Sequence, residues 1–241
     1  TQMGINTLNE SELHRILKTL YRENNEGSRM EVEYGPYIVD IQTAEGNVIE
    51  IQTQSLGHLA EKIRYFISKK IKITVVFPLI TNKKIETRLL DGSTKLTRSP
   101  VHKSIYSSFR ELTKLTPYLL SPCFFLDTVN VSVIEERQQT EEKVQSRNGR
   151  RRYRQNWLKT GKRVAEIGSI TRYHGRRSWK ALLPKGIPAV FYRANFYKLL
   201  KESGIQLSAD DASLMLWVYA KMGLIERTAE GRKYRYRIKN R

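Results

Sequence analysis

The chain has 241 residues, of which 39% are hydrophobic, and a formal net charge of +19, so it can form one large or two ordinary domains. No stretch is long and apolar enough for a membrane span, no signal-peptide pattern is visible, and the single cysteine excludes an internal disulfide and a cysteine-based zinc cluster. We therefore expect a cytoplasmic protein without membrane partners.

The positive charge is concentrated in the second half of the chain. Residues 1–140 carry a net charge of +2, whereas residues 141–241 carry +17. Such asymmetry favours a polyanionic partner for the C-terminal part. The alternative is a basic tail without a specific function.

The first predicted elements are a helix at 7–22, an extended stretch at 30–34 and a hairpin of 37–42 with 48–52. The segment between the hairpin strands is a turn signal. If residues 44–46 form a three-residue loop with Gly46 in the left-handed conformation, the register of the hairpin is fixed. The residue numbers of any two residues that face each other then add up to about 90. This register places Asp40 directly opposite Glu50.

Like charges that face each other across strands are destabilising. A hairpin that keeps two carboxylates in an otherwise apolar setting therefore favours a cation between them. The alternative is an ordinary solvated polar face of an antiparallel hairpin, with Asp40 and Glu50 pointing into water.

The segment 55–70 follows, with apolar residues at helical spacing, and 71–80 reads as a strand that is buried on both faces. The order is helix, three strands, helix, strand. With Asp40, nine intervening residues and then Glu50-Ile51-Gln52, residues 7–80 resemble the restriction-endonuclease-like PD-(D/E)XK superfamily of phosphodiesterases.

This resemblance implies a metal site for Mg²⁺, with Mn²⁺ as a substitute. Asp40, Glu50 and the backbone carbonyl of Ile51 would be ligands, and Glu10 on the first helix would be a further one, with Glu12 as second choice. Ordinary first-turn acids that favour a helix N-terminus are the alternative for both glutamates.

The chain departs from the superfamily pattern at Gln52, where a lysine is usual. Glutamine can orient a water molecule by hydrogen bonds, but it carries no charge. Lys62 on the next helix could supply the missing charge, although no sequence signal places it at the site.

The middle of the chain contains a predicted hairpin at 82–98 with Asp91-Gly92 in its turn, a helical segment at 102–115 and a strand at 124–136. Residues 137–156 read as an exposed, flexible segment. Its arginines surround Tyr153 and suit phosphates and a stacked base, or else belong to a solvated linker. The nucleic-acid-binding candidates in and after this segment are Arg150, Arg151, Arg152, Arg154, Arg176 and Arg177.

The C-terminal residues 187–241 resemble a winged-helix domain. Two helices are predicted, ending at Gly204 and Gly223, and the second has Ser208 as its N-cap. A hairpin with its turn at 229–231 follows, in which Tyr234, Tyr236 and Ile238 share the packing face. The opposite face carries the remaining nucleic-acid-binding candidates, Lys233, Arg235, Arg237 and Lys239.

The helix that a winged helix would insert into a major groove, at 208–222, is acidic at its start and mostly apolar. Base-edge recognition normally uses exposed Arg, Lys, Asn or Gln. Met215 and Trp217 are therefore expected to pack in the core, with a protein contact through them as the alternative.

Together these interpretations predict an α/β protein of the α+β type. A restriction-endonuclease-like αβββαβ core with a mixed sheet would occupy residues 1–136, a basic linker 137–186 and a winged-helix-like domain 187–241. The expected function is a metal-dependent nucleic-acid phosphodiesterase, most readily a DNA endonuclease with Asp40, Glu50 and Gln52 as catalytic residues. The alternatives are a DNA-binding regulator or partner subunit with an inactive nuclease-like domain, and a protein directed to RNA. A homodimer is compatible with either function.

Overall fold

The structure is a computed structural model that describes residues 11–146 and 149–239. Its α-helices are α1 Glu12–Glu23, α2 Ala60–Ser68, α3 Phe109–Leu112, α4 Gly175–Lys180, α5 Arg193–Glu202 and α6 Ala209–Lys221. Its strands are β1 Arg29–Tyr34, β2 Tyr37–Gln42, β3 Val48–Ile51, β4 Ile73–Arg88, β5 Thr94–Arg98, β6 Phe124–Val144, β7 Gln155–Tyr173, β8 Val190–Tyr192, β9 Ile225–Glu230 and β10 Lys233–Ile238. The prediction of a mixed α+β fold is confirmed. None of these helices is long and apolar enough to cross a membrane.

Seven strands form one mixed sheet in the order β1-β2-β3-β4-β6-β7, and β5 pairs with β4 outside this path. The pairs β1–β2 and β2–β3 are antiparallel, whereas β3 and β4 run parallel. The parallel pair is connected through α2, as a crossover between parallel strands requires. All four residues of β3 are buried, so β3 lies in the interior of the sheet.

The register predicted for the β2–β3 hairpin is confirmed. Ile41 pairs with Ile49 and Gln42 with Val48, which places Asp40 across from Glu50. Gly46 has a φ of 78°, a conformation that glycine adopts without a steric penalty. Its N–H donates to the carbonyl of Thr43, and the Thr43 N–H donates to the carbonyl of Asn47, both at 2.9 Å. The turn therefore determines which residues meet across the hairpin.

The chain divides into two compact units. The strand unit contains residues 11–16, 78–104, 129–146 and 149–170, and the main unit contains 17–77, 105–128 and 171–239. These boundaries differ from the predicted ones at 136 and 186, because β4, β6 and β7 each contribute residues to both units.

The core of the main unit is built around Trp179 of α4, which is fully buried. Its indole N–H donates to the carbonyl of Leu119 at 3.1 Å, and the Tyr219 hydroxyl donates to the Trp179 carbonyl at 2.8 Å. The ring of Tyr219 packs against Phe109 with 5.5 Å between centroids. Satisfied polar groups and buried rings thus join α3, α4 and α6 in one core.

The expectation that residues 137–156 are flexible was wrong at both ends of this segment. β6 continues to Val144, and β7 begins at Gln155. Arg137, Arg151 and Trp157 explain part of this order, since the two guanidinium groups lie 3.5 and 3.9 Å from the centre of the Trp157 ring. Cation–π contacts stabilise a strand pair that has little apolar surface.

The C-terminal elements follow the predicted order with two corrections. Ser208 caps α6 by accepting the N–H of Asp211 at 3.0 Å, as predicted. The hairpin turn lies at 231–232, because Glu230 already pairs with Lys233. A short strand, β8, was not predicted, and it pairs with β10 in a second sheet of order β8-β10-β9.

The exposure of side chains on β10 and α6 also differs from the prediction. Tyr236 is buried, but Tyr234 is 46% exposed and lies 4.4 Å from the Arg227 guanidinium. Met215 is buried as expected, whereas Trp217 is only half-buried. One side of this module therefore exposes aromatic rings that the sequence assigned to the core.

A buried ionic network connects β6, β7 and α1 within the main unit. Asp127 accepts two hydrogen bonds from Arg172, at 2.7 and 2.8 Å, and one from the Tyr21 hydroxyl at 3.0 Å. Burial, followed by the charge of Asp127, raises the pKa of Tyr21, so the phenol remains a donor. The buried Tyr21 hydroxyl would otherwise lack an acceptor, whereas the Arg172 side chain is 56% exposed.

The substitution Asp127→Ala is expected to lower the free energy of unfolding by about 2 kcal/mol, because it leaves the buried Tyr21 hydroxyl without its acceptor and removes the ion pair with Arg172. Denaturant unfolding measures the change. In the control Asp210→Ala, which alters an exposed acid in the first turn of α6, the loss should stay below about 1 kcal/mol. Equal stability of Asp127→Ala and the unsubstituted chain would contradict this role.

Candidate functional site

Asp40 and Glu50, the carboxylate pair, lie where the β2–β3 ladder ends. Backbone pairing stops at Ile41–Ile49. Beyond it, the Ile51 N–H donates to Asp40 Oδ2 at 2.7 Å, and the Asp40 N–H faces Glu50 Oε1 at 3.3 Å. Each carboxylate therefore receives a backbone N–H from the opposite strand, which brings the two acidic groups together at a fixed position.

Lys62 of α2 joins the carboxylate pair. Its Nζ lies 2.7 Å from Glu50 Oε2 and also donates to the Ile38 carbonyl at 2.7 Å. The following residue, Ile63, is buried, so the helix packs on the sheet beside Lys62 and leads its aliphatic stem to the site. The charge that the sequence lacks at Gln52 is thus supplied from the next helix.

Two further residues at the site were missed from the sequence, Lys18 of α1 and Glu31 of β1. The Lys18 Nζ lies 2.9 Å from Glu31 Oε1 and 3.8 Å from Asp40 Oδ1. Glu31 falls between the pairs Met30–Ile41 and Val32–Val39, directly across from Asp40. Counting back from the Gly35-Pro36 turn would have revealed this position of Glu31, but nothing in the sequence marks Lys18.

Glu31 also has a φ of 53°, a left-handed conformation that is uncommon for a residue with a side chain. Strained backbone of this kind is concentrated at binding and catalytic sites. Glu31, Asp40 and Glu50 form a row across three neighbouring strands, with a lysine at each end.

The electrostatics of the site centre on Glu50, whose side chain is 6% exposed. Burial and then the charge of Asp40 raise its pKa from 4.5 to about 7, and Lys62 opposes this shift. Such a carboxylate is half-protonated near neutral pH, and any additional cation that approaches the pair stabilises its ionised form.

The residues that were predicted as metal ligands are only partly assembled. Among residues 11–146 and 149–239, no cluster of three or more His, Cys, Asp or Glu side chains could hold a metal ion. Glu10 lies outside the described residues, and the Glu12 carboxylate accepts the N–H of Val164 at 3.2 Å. The two oxygen donors of the carboxylate pair nevertheless match the hard ligands that Mg²⁺ prefers alongside water and phosphate.

The two remaining residues of the predicted set have other hydrogen bonds. The Gln52 side-chain amide donates to the carbonyl of Gln54, so it is oriented along its own loop. Ile51 contributes its N–H to Asp40, which fixes the carboxylate beside the carbonyl that was predicted as a ligand.

The predicted nucleic-acid-binding arginines and lysines are mostly exposed. Exposed side chains are those of Arg150, Arg152, Arg154, Arg177, Lys233, Arg235, Arg237 and Lys239. Arg151 stacks on Trp157 and donates to two carbonyls, and Arg176 donates to the Gly223 carbonyl at 3.3 Å. These two arginines support the local structure.

The strand unit adds a group of basic residues that the sequence did not single out, here termed the cation cluster. Its centre is the buried Glu135, which is bonded by Lys83 and Arg137 at 2.6 Å, with Lys159 at 3.9 Å. Burial, and then the charges of three lysines, lower the pKa of Lys162. The members of the cluster are Lys83, Lys103, Arg137, Lys159 and Lys162. Three cations around one carboxylate, with two further lysines in the cluster, leave an excess of positive charge that suits a polyanion.

Comparison with known proteins shows which family the chain belongs to. Residues 11–173 match the family described as "Domain of unknown function (DUF8091)". The chain belongs to this family. The DUF8091 match contains the carboxylate pair, Lys18 and Lys62, and it ends before α4. A protein of Treponema pallidum (strain Nichols), described as an uncharacterized protein, is 30% identical over 194 residues, covering 78% of this chain and 72% of that protein. No solved structure matches this chain.

The raised pKa of Glu50 predicts a pH-dependent effect of Glu50→Gln on stability. Because the folded protein retains the proton of Glu50 up to about pH 7 while an unfolded glutamate loses it near 4.5, the stability that this group contributes is complete below pH 4.5 and is lost as the pH rises through 7. Relative to the unsubstituted chain, Glu50→Gln should therefore become more stable between pH 5 and 8, by an amount on the order of 2 kcal/mol.

Denaturant unfolding at several pH values measures this difference. Glu61→Gln is the matched control, since Glu61 is exposed on the same helix as Lys62 and lies outside the carboxylate pair. The claim tested is that ionised Glu50 beside Asp40 destabilises the folded protein. A stability difference between Glu50→Gln and the unsubstituted chain that stays constant with pH, or changes in the opposite direction, would refute it.

Proposed function

We propose that this chain is a metal-dependent nucleic-acid phosphodiesterase, with DNA endonuclease activity as its main form. The observation that carries the proposal is the meeting of two carboxylates and Lys62 at the end of the β2–β3 ladder. Acids that serve only as a solvated face would not be buried and exchange backbone hydrogen bonds across the strands. The order of α1, β1–β3, α2 and β4, with β3 parallel to β4, supports a restriction-endonuclease-like core.

Asp40 and Glu50 would hold Mg²⁺ or Mn²⁺, together with the Ile51 carbonyl and Glu10 as the resemblance implies. When bound, such an ion would polarise the phosphate and lower the pKa of a water ligand. The ion is favoured here because the pKa of Glu50 is raised to about 7 by burial and by Asp40, a repulsion that a divalent cation removes.

Groups of the protein itself would orient the carboxylates and stabilise developing charge. The Ile51 N–H holds Asp40 at one orientation, and the Asp40 N–H does the same for Glu50. Lys62 can turn from Glu50 towards a phosphate oxygen and stabilise the negative charge that develops during cleavage. Gln52 is a weaker candidate for orienting water, because its amide already bonds Gln54.

Exposed basic residues would bind the phosphate backbone. The cation cluster belongs to the strand unit, and Arg177 with the lysines and arginines of β10 belongs to the main unit. Contacts to phosphates position a duplex without reading its sequence. The element order β8, α5, α6, β9 and β10, with sheet order β8-β10-β9, supports a winged-helix-like domain at 187–241. A cytoplasmic location and a homodimer are part of the same proposal.

A second candidate function is a DNA-binding regulator or partner subunit whose nuclease-like part is inactive. One observation favours it, because the Lys62 ammonium already neutralises Glu50 at 2.7 Å. A site in which lysines balance the carboxylates can be purely structural. RNA in place of DNA is a further alternative for either function.

The decisive experiment incubates supercoiled plasmid DNA, and separately a structured RNA, with the protein and Mg²⁺, Mn²⁺ or EDTA. Nicking that depends on the metal is expected, with rates lower by about 100-fold or more in Asp40→Asn, Glu50→Gln and Lys62→Met. Lys69→Met, a change at an exposed lysine following the same helix, should cleave like the unsubstituted chain.

Thermal unfolding supplies a readout that does not depend on cleavage. Mn²⁺ should raise the unfolding temperature of the unsubstituted chain, because a ligand of the folded state stabilises it, and it should leave Asp40→Asn unchanged. DNA binding without cleavage under any metal would support the regulator and reject the enzyme.

A further inference from the structure

A groove of about 1360 Å³ lies in the main unit between α6, the start of α5 and the β9–β10 hairpin. Neither residue of the carboxylate pair lines this groove. Its volume exceeds the range of about 300–1,000 Å³ that is typical for small-molecule pockets. An extended ligand therefore fits it better than a single metabolite.

Aromatic rings form one part of the groove wall. Tyr234 and Tyr192 are 46% and 38% exposed, and Trp217 is half-buried. Large aromatic side chains usually lie in the core or at an interface. Three of them facing one groove offer flat surfaces on which planar ligand groups can stack.

Basic side chains form another part of the wall. The cations that line the groove are Arg110, Arg193, Arg227, Arg232 and Lys233, against Asp210 and Glu230 as the acids. Glu230 accepts the hydroxyl hydrogen of Tyr192 at 2.7 Å, and the Arg227 guanidinium lies over the Tyr234 ring at 4.4 Å. The excess of positive charge next to stacking surfaces favours a polyanion that carries planar groups.

The side of α6 that faces the groove argues against insertion into the major groove of a duplex. It presents Asp210, Ser213, Leu214 and Trp217, without the Arg, Lys, Asn or Gln side chains that read base edges. Asp210 would also repel a phosphate at the helix start. Bases inside a duplex are stacked on each other and cannot offer their faces to Tyr234 or Trp217, whereas unpaired bases can.

We propose that this groove binds a single strand of nucleic acid. Unpaired bases would stack on Tyr234 and Trp217, and the phosphates between them would contact Arg227, Arg232 and Lys233. DNA and RNA share this chemistry. The site is independent of the reaction proposed for the carboxylate pair, and it would direct the chain to loops, ends or displaced strands rather than to a continuous duplex.

The test is fluorescence anisotropy in EDTA, which prevents cleavage, so that its outcome is independent of nuclease activity. Labelled oligothymidylate, oligouridylate of the same length and a hairpin duplex are titrated against the full chain. Tyr234→Leu should weaken binding of a single strand about tenfold or more, because one stacking surface is lost, and should change duplex affinity by less than about twofold. The two single-stranded probes show whether the site prefers DNA or RNA.

Tyr197→Leu is the matched control, since Tyr197 contacts Lys201 on α5 at 4.4 Å and does not line the groove. Its affinities should match those of the unsubstituted chain. Arg227→Ala is a second variant that keeps every ring, and it should weaken single-strand binding and its salt dependence. Equal losses for duplex and single strand, or unchanged single-strand affinity in both folded variants, would overturn the proposal.

Discussion

The candidate site depends on one exchange of hydrogen bonds between neighbouring strands. Where backbone pairing of β2 with β3 ends, Asp40 accepts the N–H of Ile51, and Glu50 accepts the N–H of Asp40. Side-chain oxygens thereby replace carbonyls in the interior of the sheet, so no buried N–H is left unpaired there. The exchange also holds two negative groups together, and every other property of the site is a response to that repulsion.

In the structure, two lysines offset the repulsion between the carboxylates. Lys62 pairs with Glu50, and Lys18 contacts both Glu31 and Asp40. The balance is incomplete, because burial and Asp40 still raise the pKa of Glu50 to about 7. A purely structural network would be more stable if each negative charge were fully balanced. This is the case at Asp127, where Arg172 makes two hydrogen bonds to one carboxylate. This incomplete balance at Glu50 is the physical basis of the proposal that a cation binds here.

The local part of this arrangement could be predicted from the sequence. A three-residue loop ending in a left-handed Gly46 has one register, so the position of Asp40 across from Glu50 followed from counting. The contributions of Lys62 and Lys18 could not be predicted, because they depend on how α2 and α1 pack on the sheet. β6 was predicted only as far as residue 136 and β7 was not predicted, since their outer halves lack apolar alternation: stacking of Arg137 and Arg151 on Trp157 contributes to the order there. The exposure of Tyr234 was missed for a similar reason, as a shared strand face does not reveal how far the neighbouring helices extend.

The most direct test of the central claim is a crystal structure of the protein soaked with Mn²⁺, with anomalous diffraction used to locate the metal. We expect a manganese peak between the carboxylates of Asp40 and Glu50, with the Lys62 ammonium displaced from Glu50 and the Ile51 N–H still bonded to Asp40. Absence of the peak at saturating Mn²⁺, with Lys62 remaining on Glu50, would contradict the account and leave the carboxylate pair as a structural ion network.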